Sequence, residues 1–371
     1  MASSACAILW NEELKEYDFG TGHPFRGRRY PLFHRFLLEH LPEKDCYQLV
    51  SAEKVGDEDL LLICTREYIE FTSAYYRAAN LGQDYNGQFY RFHSLDNQPS
   101  GKPGKLEEAA RLIIGQAKKA ADLVAGGEFE KAISIGGGLH HAKPQFGEGF
   151  CLYNDVAFTA KYLIQKHGLT RILLLDTDAH AGNGTAEYFY KDPRVLFVDL
   201  HQDPRTLYPG TGFIRQIGEN GGEGYTVNLP LPIGAGYDSY QLVLKEIVHP
   251  LAREFKPQII VRNGGSDPYF NDQLTQLGLP IKGFRMIGEE VRELAKVCNG
   301  KELDLIASGY NERILPYAWL ALIAGLLGID ASTEEVEPVP ERYREDRALN
   351  DTHMVVREVK AKLKEYWTCF R

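Results

Sequence analysis

The chain has 371 residues, of which 44% are apolar and 25% charged, and its 42 basic and 51 acidic side chains leave a net charge of −9. This composition excludes an intrinsically disordered chain and a collagen-like repeat, and the length allows either two domains or one large α/β domain. The acidic balance, without any block of Lys and Arg, argues against a nucleic-acid-binding surface, because phosphate binding needs clustered basic side chains.

The six cysteines are scattered and include no Cys-x-x-Cys pair, which is typical of a reducing compartment without disulfides. The N-terminal segment lacks the basic start and the apolar run of a signal peptide. No stretch approaches the ~20 apolar residues of a membrane span. We therefore expect a cytoplasmic protein with no membrane partner.

Helical patterns alternate with short apolar runs from about residue 105 to residue 330. The first pair is a predicted helix at 106–125 and a predicted strand at 131–135, which stops at three glycines. The later pattern predicts helices at 156–166 and 316–327 and strands at 171–175, 195–198, 259–261 and 303–307. Such alternation is the mark of βαβ units, so we predict an α/β fold with a mostly parallel sheet. The first hundred residues are predicted as helices and loops packed around that sheet.

The C-terminal part of the sequence changes character after residue 330. Residues 331–346 form an acidic connector that contains prolines, and a predicted helix after it has an apolar stripe at Val355, Val356, Val359 and Leu363. No long linker interrupts the chain before residue 330. We therefore predict one catalytic domain over residues 1–330, with residues 331–371 packed back onto it.

Reactive side chains follow the predicted strands, at the edge where open α/β sheets bind their ligands. Asp176, Asp178 and His180 follow one strand, and alternate side chains of an extended segment point to the same side. Asp267 follows another strand and adds a further candidate ligand. Two Asp and one His leave an open position on a divalent metal, as in catalytic zinc sites. The triplet by itself fits a metal site and an Asp-rich turn before a helix about equally well.

Two histidines and a tyrosine also follow predicted strands. His140 and His141 come after three glycines, which let the backbone approach a ligand closely. Alone, the pair is better explained as one buried and one exposed histidine, but beside a metal it offers a general base and a general acid. Tyr310 could donate a hydrogen bond to a carbonyl oxygen. The sequence has no G-x-G-x-x-G, Walker A or G-x-S-x-G motif, so neither a nucleotide cofactor nor a serine nucleophile is indicated.

Six motifs occur along the chain in this order: GGGLHHA (136–142), GFCLYNDVA (149–157), DTDAHAGNGTAEYFYKDPRV (176–195), LYPGTG (207–212), NGGSD (263–267) and SGYN (308–311). Together they resemble the zinc-dependent histone deacetylase family, close to its bacterial and archaeal acetoin-utilisation-type members. The similarity runs from residue 17 to about residue 328. It implies the arginase/deacetylase fold, a single three-layer α/β/α domain around a central, mostly parallel sheet of about eight strands.

The resemblance implies a catalytic zinc site, with ferrous iron as the alternative metal, whose ligands are Asp178, His180 and Asp267. His141 matches the proton-transferring histidine, and His140 the histidine that acts mainly electrostatically and is oriented by Asp176. Tyr310 matches the tyrosine that polarises the substrate carbonyl. Asn183 occupies the position of a residue that orients the second histidine.

A substrate route and structural potassium are implied in the same way. The acyl-lysine tunnel and its rim are matched by Asp96, Gly149, Phe150, Tyr208 and Leu274, and an internal acetate-exit channel by Arg29. One potassium site is matched, mostly through backbone carbonyls, by Asp176, Asp178, His180 and Leu200, with Asp199 beside it. A second potassium site is matched by Phe189, Asp192, Val195 and Tyr225.

Four positions depart from the family pattern, and none of them is a proposed zinc ligand. Asn183 stands where many members have a second orienting aspartate. This replacement of a carboxylate by an amide would lower the basicity of His141. Asp199 replaces a serine beside the first potassium site. Ser308 replaces a glycine of the tunnel, and Ala181 replaces a second histidine.

The implied function is zinc-dependent hydrolysis of an acetylated amine, first of all acetyl-lysine of a protein or peptide, with release of acetate. An acetylpolyamine or another small acyl amide is the alternative substrate. Polyamine-specific relatives often have an acidic rim residue where this chain has Leu274, although Asp272 lies nearby. An arginase-like enzyme would need a further carboxylate where Gly182 stands, and the retained catalytic residues argue against a non-catalytic acyl-lysine-binding protein. Nothing in the sequence indicates the oligomeric state.

Overall fold

The computed structural model describes residues 6–41, 46–83, 85 and 87–371. Its sheet consists of β1 (Cys6–Leu9), β2 (Gln48–Val50), β3 (Lys131–Ile135), β4 (Ile172–Asp176), β5 (Val195–Gln202), β6 (Thr226–Leu231), β7 (Ile259–Gly264) and β8 (Glu302–Ile306). The order across the sheet is β2-β1-β3-β8-β7-β4-β5-β6, and all neighbouring strands are parallel. All the carboxyl ends therefore lie along one edge, where α/β sheets bind their ligands.

The register of the sheet brings particular residues level with one another at that edge. Asp176, the last residue of β4, lies opposite Asp199 of β5 on one side and Asn263 of β7 on the other. The last residue of β3, Ile135, lies opposite Ile306 of β8. The segments that leave β3, β4, β7 and β8 consequently start at similar heights, which is why their first side chains can meet.

Helices lie on both faces of the sheet. They are α1 (Arg29–His40), α2 (Asp57–Leu60), α3 (Arg66–Asn80), α4 (Phe89–Phe92), α5 (Leu106–Ala125), α6 (Asp155–His167), α7 (Asn183–Phe189), α8 (Tyr237–Val243), α9 (His249–Phe255), α10 (Ile281–Ala295), α11 (Leu315–Leu327) and α12 (Leu349–Leu363). Helix α11 is apolar on all sides and almost wholly buried, packed against α10 and α1. Among the described residues, no helix is long and apolar enough to cross a membrane.

The predicted α/β fold with a parallel sheet is confirmed. Helix α5 and strand β3 have the predicted bounds, whereas β5 and β7 continue past their predicted ends at residues 198 and 261. The prediction for the first hundred residues is wrong in one respect, because they also contribute β1 and β2. These strands, of four and three residues, are too short to show a period. Strand β6 is also missing from the prediction, because Pro230 weakens its pattern and is tolerated only at the edge of the sheet.

The C-terminal segment packs against the rest of the chain through its last long helix. Helix α12 contacts α8 and β6 and buries Val356, Val359 and Leu363, whereas Val355 is half-buried. In the connector before it, Glu335 accepts hydrogen bonds from the Tyr269 hydroxyl at 3.0 Å and from the backbone N–H of Ile281 at 2.6 Å. The division into a catalytic domain up to residue 330 and an appended segment stays a prediction.

Candidate functional site

The carboxyl ends of the central strands surround a cavity of about 210 Å³. Five predicted catalytic or metal-binding residues line it: His140, His141, Asp178, His180 and Tyr310. The five residues predicted along the substrate route also line it: Asp96, Gly149, Phe150, Tyr208 and Leu274. These residues come from segments that follow β3, β4, β7 and β8 and from loops before α5, α6 and β6, so the site exists only in the folded chain.

Three buried side chains form a cluster at the inner end of this cavity. Asp178, His180 and Asp267 each present one ligand atom, and these atoms lie within 4.8 Å of one another. His180 Nδ1 lies 3.1 Å from Asp178 Oδ1 and 3.0 Å from Asp267 Oδ2. Asp178 Oδ1 also accepts the backbone N–H of His180 at 2.8 Å, so an aspartate turn is present and itself orients the cluster. This Asp-His-Asp cluster could hold a metal.

The donor set fits a divalent cation. Burial and the neighbouring Asp178 carboxylate raise the pKa of Asp267. Burial lowers the pKa of His180, but the hydrogen bonds and charges of Asp178 and Asp267 outweigh it and raise that pKa to about 10. The two carboxylates therefore require a positive charge between them. A proton on His180 or a bound divalent cation would provide it, and binding of the cation would release that proton.

His140 lies beside this cluster but faces a different carboxylate. Its Nδ1 is 2.7 Å from Asp176 Oδ2, which also accepts the side-chain N–H of Asn263 at 2.9 Å. Burial lowers the pKa of His140, but the charges of Asp176 and Asp178 outweigh it and raise that pKa to about 9. Asp176 thus points away from the Asp-His-Asp cluster, unlike the common direction that simple alternation along the chain suggests.

His141 has an amide as its partner instead of a carboxylate. Its Nδ1 lies 2.7 Å from Asn183 Oδ1, and its Nε2 lies 3.1 Å from Nε2 of His140. Burial and the charges of His140 and His180 hold the pKa of His141 well below its usual value. The two adjacent histidines therefore differ, since one has a carboxylate partner and a raised pKa whereas the other has neither.

Tyr310 reaches the cavity from the loop after β8. The backbone N–H of Tyr310 donates to Asp272 Oδ2 at 2.7 Å, and the N–H of Leu274 donates to Asp272 Oδ1 at 2.9 Å. The preceding Gly309 has φ +127°, and a Cβ there would lie 1.9 Å from Ser266 Oγ, so only glycine fits. Asp272 does not line the cavity. Its carboxylate binds the backbone of two cavity-lining segments and does not act as an acidic group at the mouth.

Two aromatic rings form walls of the cavity. Phe150 adopts φ +65°, and its carbonyl accepts the Tyr17 hydroxyl at 2.7 Å. The ring of Tyr208 lies 5.1 Å from that of His141 and is 41% exposed, which places it at the opening. Asp96 Oδ2 accepts the backbone N–H of Gly149 at 3.0 Å, so it also orders the loop that carries Phe150.

Arg29 lies behind the cavity and is fully buried. Its Nη1 donates to the carbonyl of Ala307 at 3.0 Å, and its guanidinium carbon lies 4.0 Å from the centre of the Phe25 ring and 5.3 Å from that of Tyr310. Both Phe25 and Ala307 line the cavity. The predicted exit-channel residue therefore adjoins the inner end of the cavity.

The residues predicted for two potassium sites lie beside β4 and β5. In the first set, Asp199 Oδ2 accepts the backbone N–H of Gly182 at 2.9 Å and Oδ1 lies 3.0 Å from His201 Nδ1. Leu200 is the next residue of β5 and is buried. The second set is Phe189, Asp192, Val195 and Tyr225, which lie at the end of α7, at the start of β5 and just before β6. Each set is thus local in the fold, and the two potassium sites stay a prediction.

The histone deacetylase domain profile matches residues 23–326 of this sequence. The chain belongs to the histone deacetylase family.

Relatives in this family cover nearly the whole chain. A probable deacetylase of Archaeoglobus fulgidus is 36% identical over an alignment of 376 positions, which covers 98% of this chain and 99% of that protein. The acetoin utilization protein AcuC of Staphylococcus aureus strain COL is 34% identical, with coverage of 88% and 82%. The crystal structure of the HDA15 HD domain superposes with a TM-score of 0.82 at 25% identity and covers 99% of this chain and 97% of that one. The resemblance and the fold class predicted from the sequence are confirmed.

Three polar contacts of this histone deacetylase site were not predicted from the sequence, although Ser308 was named as a departure in the tunnel. Asn263 donates to Asp176 Oδ2 at 2.9 Å, Ser308 Oγ donates to Asp267 Oδ1 at 2.7 Å, and Glu148 Oε1 accepts from Asn183 Nδ2 at 2.7 Å. Asn263 and Ser308 lie at strand ends, where a search for side chains level with Asp176 and Asp267 could have found them. Glu148 lies in a loop, and the sequence carries no signal for its contact.

Proposed function

We propose that this histone deacetylase family member hydrolyses the amide bond of an acetylated amine, with acetyl-lysine of a protein or peptide as the first candidate, and releases acetate. One observation carries the proposal. The Asp178, His180 and Asp267 cluster lies at the inner end of a cavity that is also lined by His141 and Tyr310. An amide carbonyl that enters this cavity meets a cluster suited to a metal, a proton acceptor and a hydroxyl donor together.

A divalent metal bound by Asp178, His180 and Asp267 would supply Lewis acidity, which polarises the carbonyl and lowers the pKa of water. We assign the remaining roles to the chain. Asn183 Oδ1 accepts the Nδ1 proton of His141, so His141 Nε2, which lies 3.1 Å from His140 Nε2, carries no proton and is the atom that takes one from the attacking water. The Tyr310 hydroxyl donates to the oxyanion that forms from the carbonyl. The proton then passes to the amine nitrogen as the C–N bond breaks, which yields acetate and the free amine.

The lining of the cavity favours acetyl-lysine over an acetylated polyamine. Phe150 and Tyr208 offer aromatic walls to an aliphatic side chain, and Leu274 puts an apolar group at the rim. The nearby carboxylate of Asp272 accepts two backbone N–H groups and does not line the cavity, so it is not positioned to select a second ammonium group. Asp96 at the mouth suits a substrate with a peptide backbone, whose N–H groups a carboxylate can accept.

We further propose zinc as the metal, with ferrous iron as the alternative, because two carboxylates and one imidazole suit both. Structural potassium at the two sets of residues beside β4 and β5 is part of the same proposal, as is a cytoplasmic location, which the six cysteines without disulfides support. A ureohydrolase with two metals is disfavoured, because Asp178, His180 and Asp267 form the one such cluster in the described part of the chain.

The test is a turnover assay on the purified chain. The protein is stripped with a chelator and reloaded with Zn²⁺, or with Fe²⁺ under anaerobic conditions, and offered acetyl-lysine peptides, acetylated polyamines and small acetamides. We expect metal-restored acetate release, fastest on peptides. Faster hydrolysis of acetylated polyamines would make them the substrate class in place of acetyl-lysine. Binding of an acetyl-lysine peptide without turnover under every metal would establish the non-catalytic alternative.

A further inference from the structure

An amide such as Asn183 is a less definite partner for a histidine than a carboxylate is. Both oxygens of a carboxylate accept hydrogen bonds, whereas an amide presents an acceptor at one end and a donor at the other. Turned one way, Asn183 would stabilise a proton on His141 Nδ1 and leave Nε2 free to act as a base. Turned the other way, it would favour the tautomer with the proton on Nε2, which cannot accept a proton. Besides the contact of His141 Nε2 with His140 Nε2 at 3.1 Å, the tautomer of His141 therefore depends on what fixes the amide.

Glu148 contacts the far end of that amide. Asn183 Nδ2 donates to Glu148 Oε1 at 2.7 Å, while Asn183 Oδ1 lies 2.7 Å from His141 Nδ1. An ionised carboxylate only accepts, so it binds the N–H₂ end of Asn183 and leaves the oxygen for His141. Lys143 Nζ lies 2.8 Å from the same Glu148 oxygen and holds that carboxylate in place.

The backbone next to Glu148 is held against the same histidine. A Cβ on Gly149 would lie 2.2 Å from His141 Cδ2, and the glycine has φ +59°, so the chain passes directly over the ring. Glu148 therefore has a fixed starting point from which its side chain reaches Asn183. Its carboxylate also borders a second cavity of about 430 Å³, lined by Lys143, Asn183 and Tyr208 among others.

We propose that Glu148 is a positioning residue for His141: by binding Asn183 Nδ2 it sets the orientation of the amide and so the nitrogen of His141 that carries the proton. The inference rests on the proposed function, in which His141 Nε2 is the proton acceptor. It also gives the chain a carboxylate two hydrogen bonds away from His141, in place of the aspartate that many family members have in direct contact. Glu148 does not line the cavity of the Asp-His-Asp cluster. Besides Asn183 it contacts Lys143 and the hydroxyl of Tyr208, so a double-mutant cycle is needed to isolate the part of its effect that passes through Asn183.

The first test is the protonated nitrogen of His141, which needs neither metal nor turnover. In metal-free protein labelled with ¹⁵N-histidine, long-range ¹H–¹⁵N spectra distinguish the two tautomers, and His141→Gln assigns the signal. We expect His141 to carry its proton on Nδ1 in the native chain and a mixture of tautomers in Glu148→Gln, since glutamine can bind either end of Asn183. Glu187→Gln, which removes the same charge from the same cavity, should leave the spectrum unchanged. An unchanged tautomer in Glu148→Gln would overturn the proposal.

The second test is a double-mutant cycle in kcat and KM. We expect Glu148→Gln to lower kcat about tenfold with little change in KM, because general-base efficiency depends on the acceptor nitrogen. Asn183→Asp would place a second carboxylate against Glu148, and adding Glu148→Gln should then raise kcat, since it removes the repulsion. If Glu148→Gln changed kcat by the same factor in the native chain and in the Asn183→Asp variant, Glu148 would not act through Asn183. If the native chain hydrolyses no acyl amine, the proposed function fails, and the tautomer measurement still decides the role of Glu148.

Discussion

Three buried histidines of this molecule have opposite surroundings: His140 and His180 lie beside carboxylates at the cavity, and His93 lies in an aromatic region. At the cavity, carboxylates raise the pKa of His140 to about 9 and that of His180 to about 10. His93, equally buried, lies among aromatic rings, with Phe89 at 5.2 Å and Tyr68 at 5.3 Å between ring centres. Its side-chain polar contacts are uncharged: the Thr72 hydroxyl lies 3.0 Å from Nε2, and Asn97 Nδ2 lies 3.5 Å from Nδ1. Burial there lowers the pKa of His93 to about 3.

The comparison teaches that burial of a histidine does not by itself indicate chemistry. Both regions remove the imidazole from water, but only the cavity adds carboxylates that favour its charged form, together with open space for a ligand. The aromatic region keeps its histidine neutral and fills the space around it. Substitutions in the cavity should therefore change catalysis and metal binding, whereas substitutions at His93 should change stability alone.

The largest expected effect comes from Asp178→Ala. Loss of this carboxylate removes one of three buried donors, so we expect metal content to fall below stoichiometric and kcat/KM to drop about a thousandfold or more. Elemental analysis and the acetate-release assay measure the two effects. His93→Phe, equally deep in the fold, should keep its metal and its turnover, and comparable loss in both variants would show that the two regions do not differ as we describe.

Tyr310→Phe should have the next largest effect. It removes only the hydroxyl that we assign to the oxyanion, so we expect kcat to fall about a hundredfold. Metal content and the melting temperature should stay as in the native chain, because the backbone N–H of Tyr310 still donates to the Asp272 carboxylate and holds the loop. Activity within twofold of native would remove Tyr310 from the mechanism.

His93 should make the stability of the chain sensitive to acid. Because its pKa is lowered from 6.5 to about 3 by folding, the unfolded state takes up a proton first as the pH falls. The contribution is complete above about pH 6.5 and is lost progressively towards pH 3, at up to about 1.4 kcal/mol per pH unit. The free energy of unfolding of the metal-free protein, measured with denaturant at several pH values between these limits, should depend less steeply on pH in His93→Phe than in the native chain. Equal slopes would contradict the prediction.

The smallest effect is expected from Ser308→Ala. The Ser308 hydroxyl donates to Asp267 Oδ1 at 2.7 Å and so orients a proposed metal ligand, and its loss should weaken metal affinity about tenfold. Competition with a chromogenic chelator measures this affinity. Ser266→Ala is the matched control, since its hydroxyl lies near the Ser308 carbonyl and makes no bond to Asp267. Similar affinities in the two variants would assign Ser308 to packing alone.

Much of the fold and of the candidate site could be predicted from sequence where the signal is local. Helix α5 and strand β3 follow from periodicity within one segment, and Asp178 and His180 are two residues apart in the segment that follows β4. Signals failed where elements were short, as in β1 and β2, or where a proline weakened the pattern, as in β6. Asp272 lies close to Leu274 in sequence, yet its side chain turns to the backbone of Tyr310, a direction that spacing cannot give.

The sequence by itself determined the α/β alternation, the family and the residue types that follow each strand, because each of these depends on neighbours along the chain. Only the tertiary structure decided which of those residues are partners. Asp176 pairs with His140 and Asn263 because the register of β4, β7 and β3 brings three separate segments level. Glu148 reaches Asn183 across 35 residues of chain for the same reason. A hydrogen bond acts over about 3 Å, and folding alone reduces such separations to that distance.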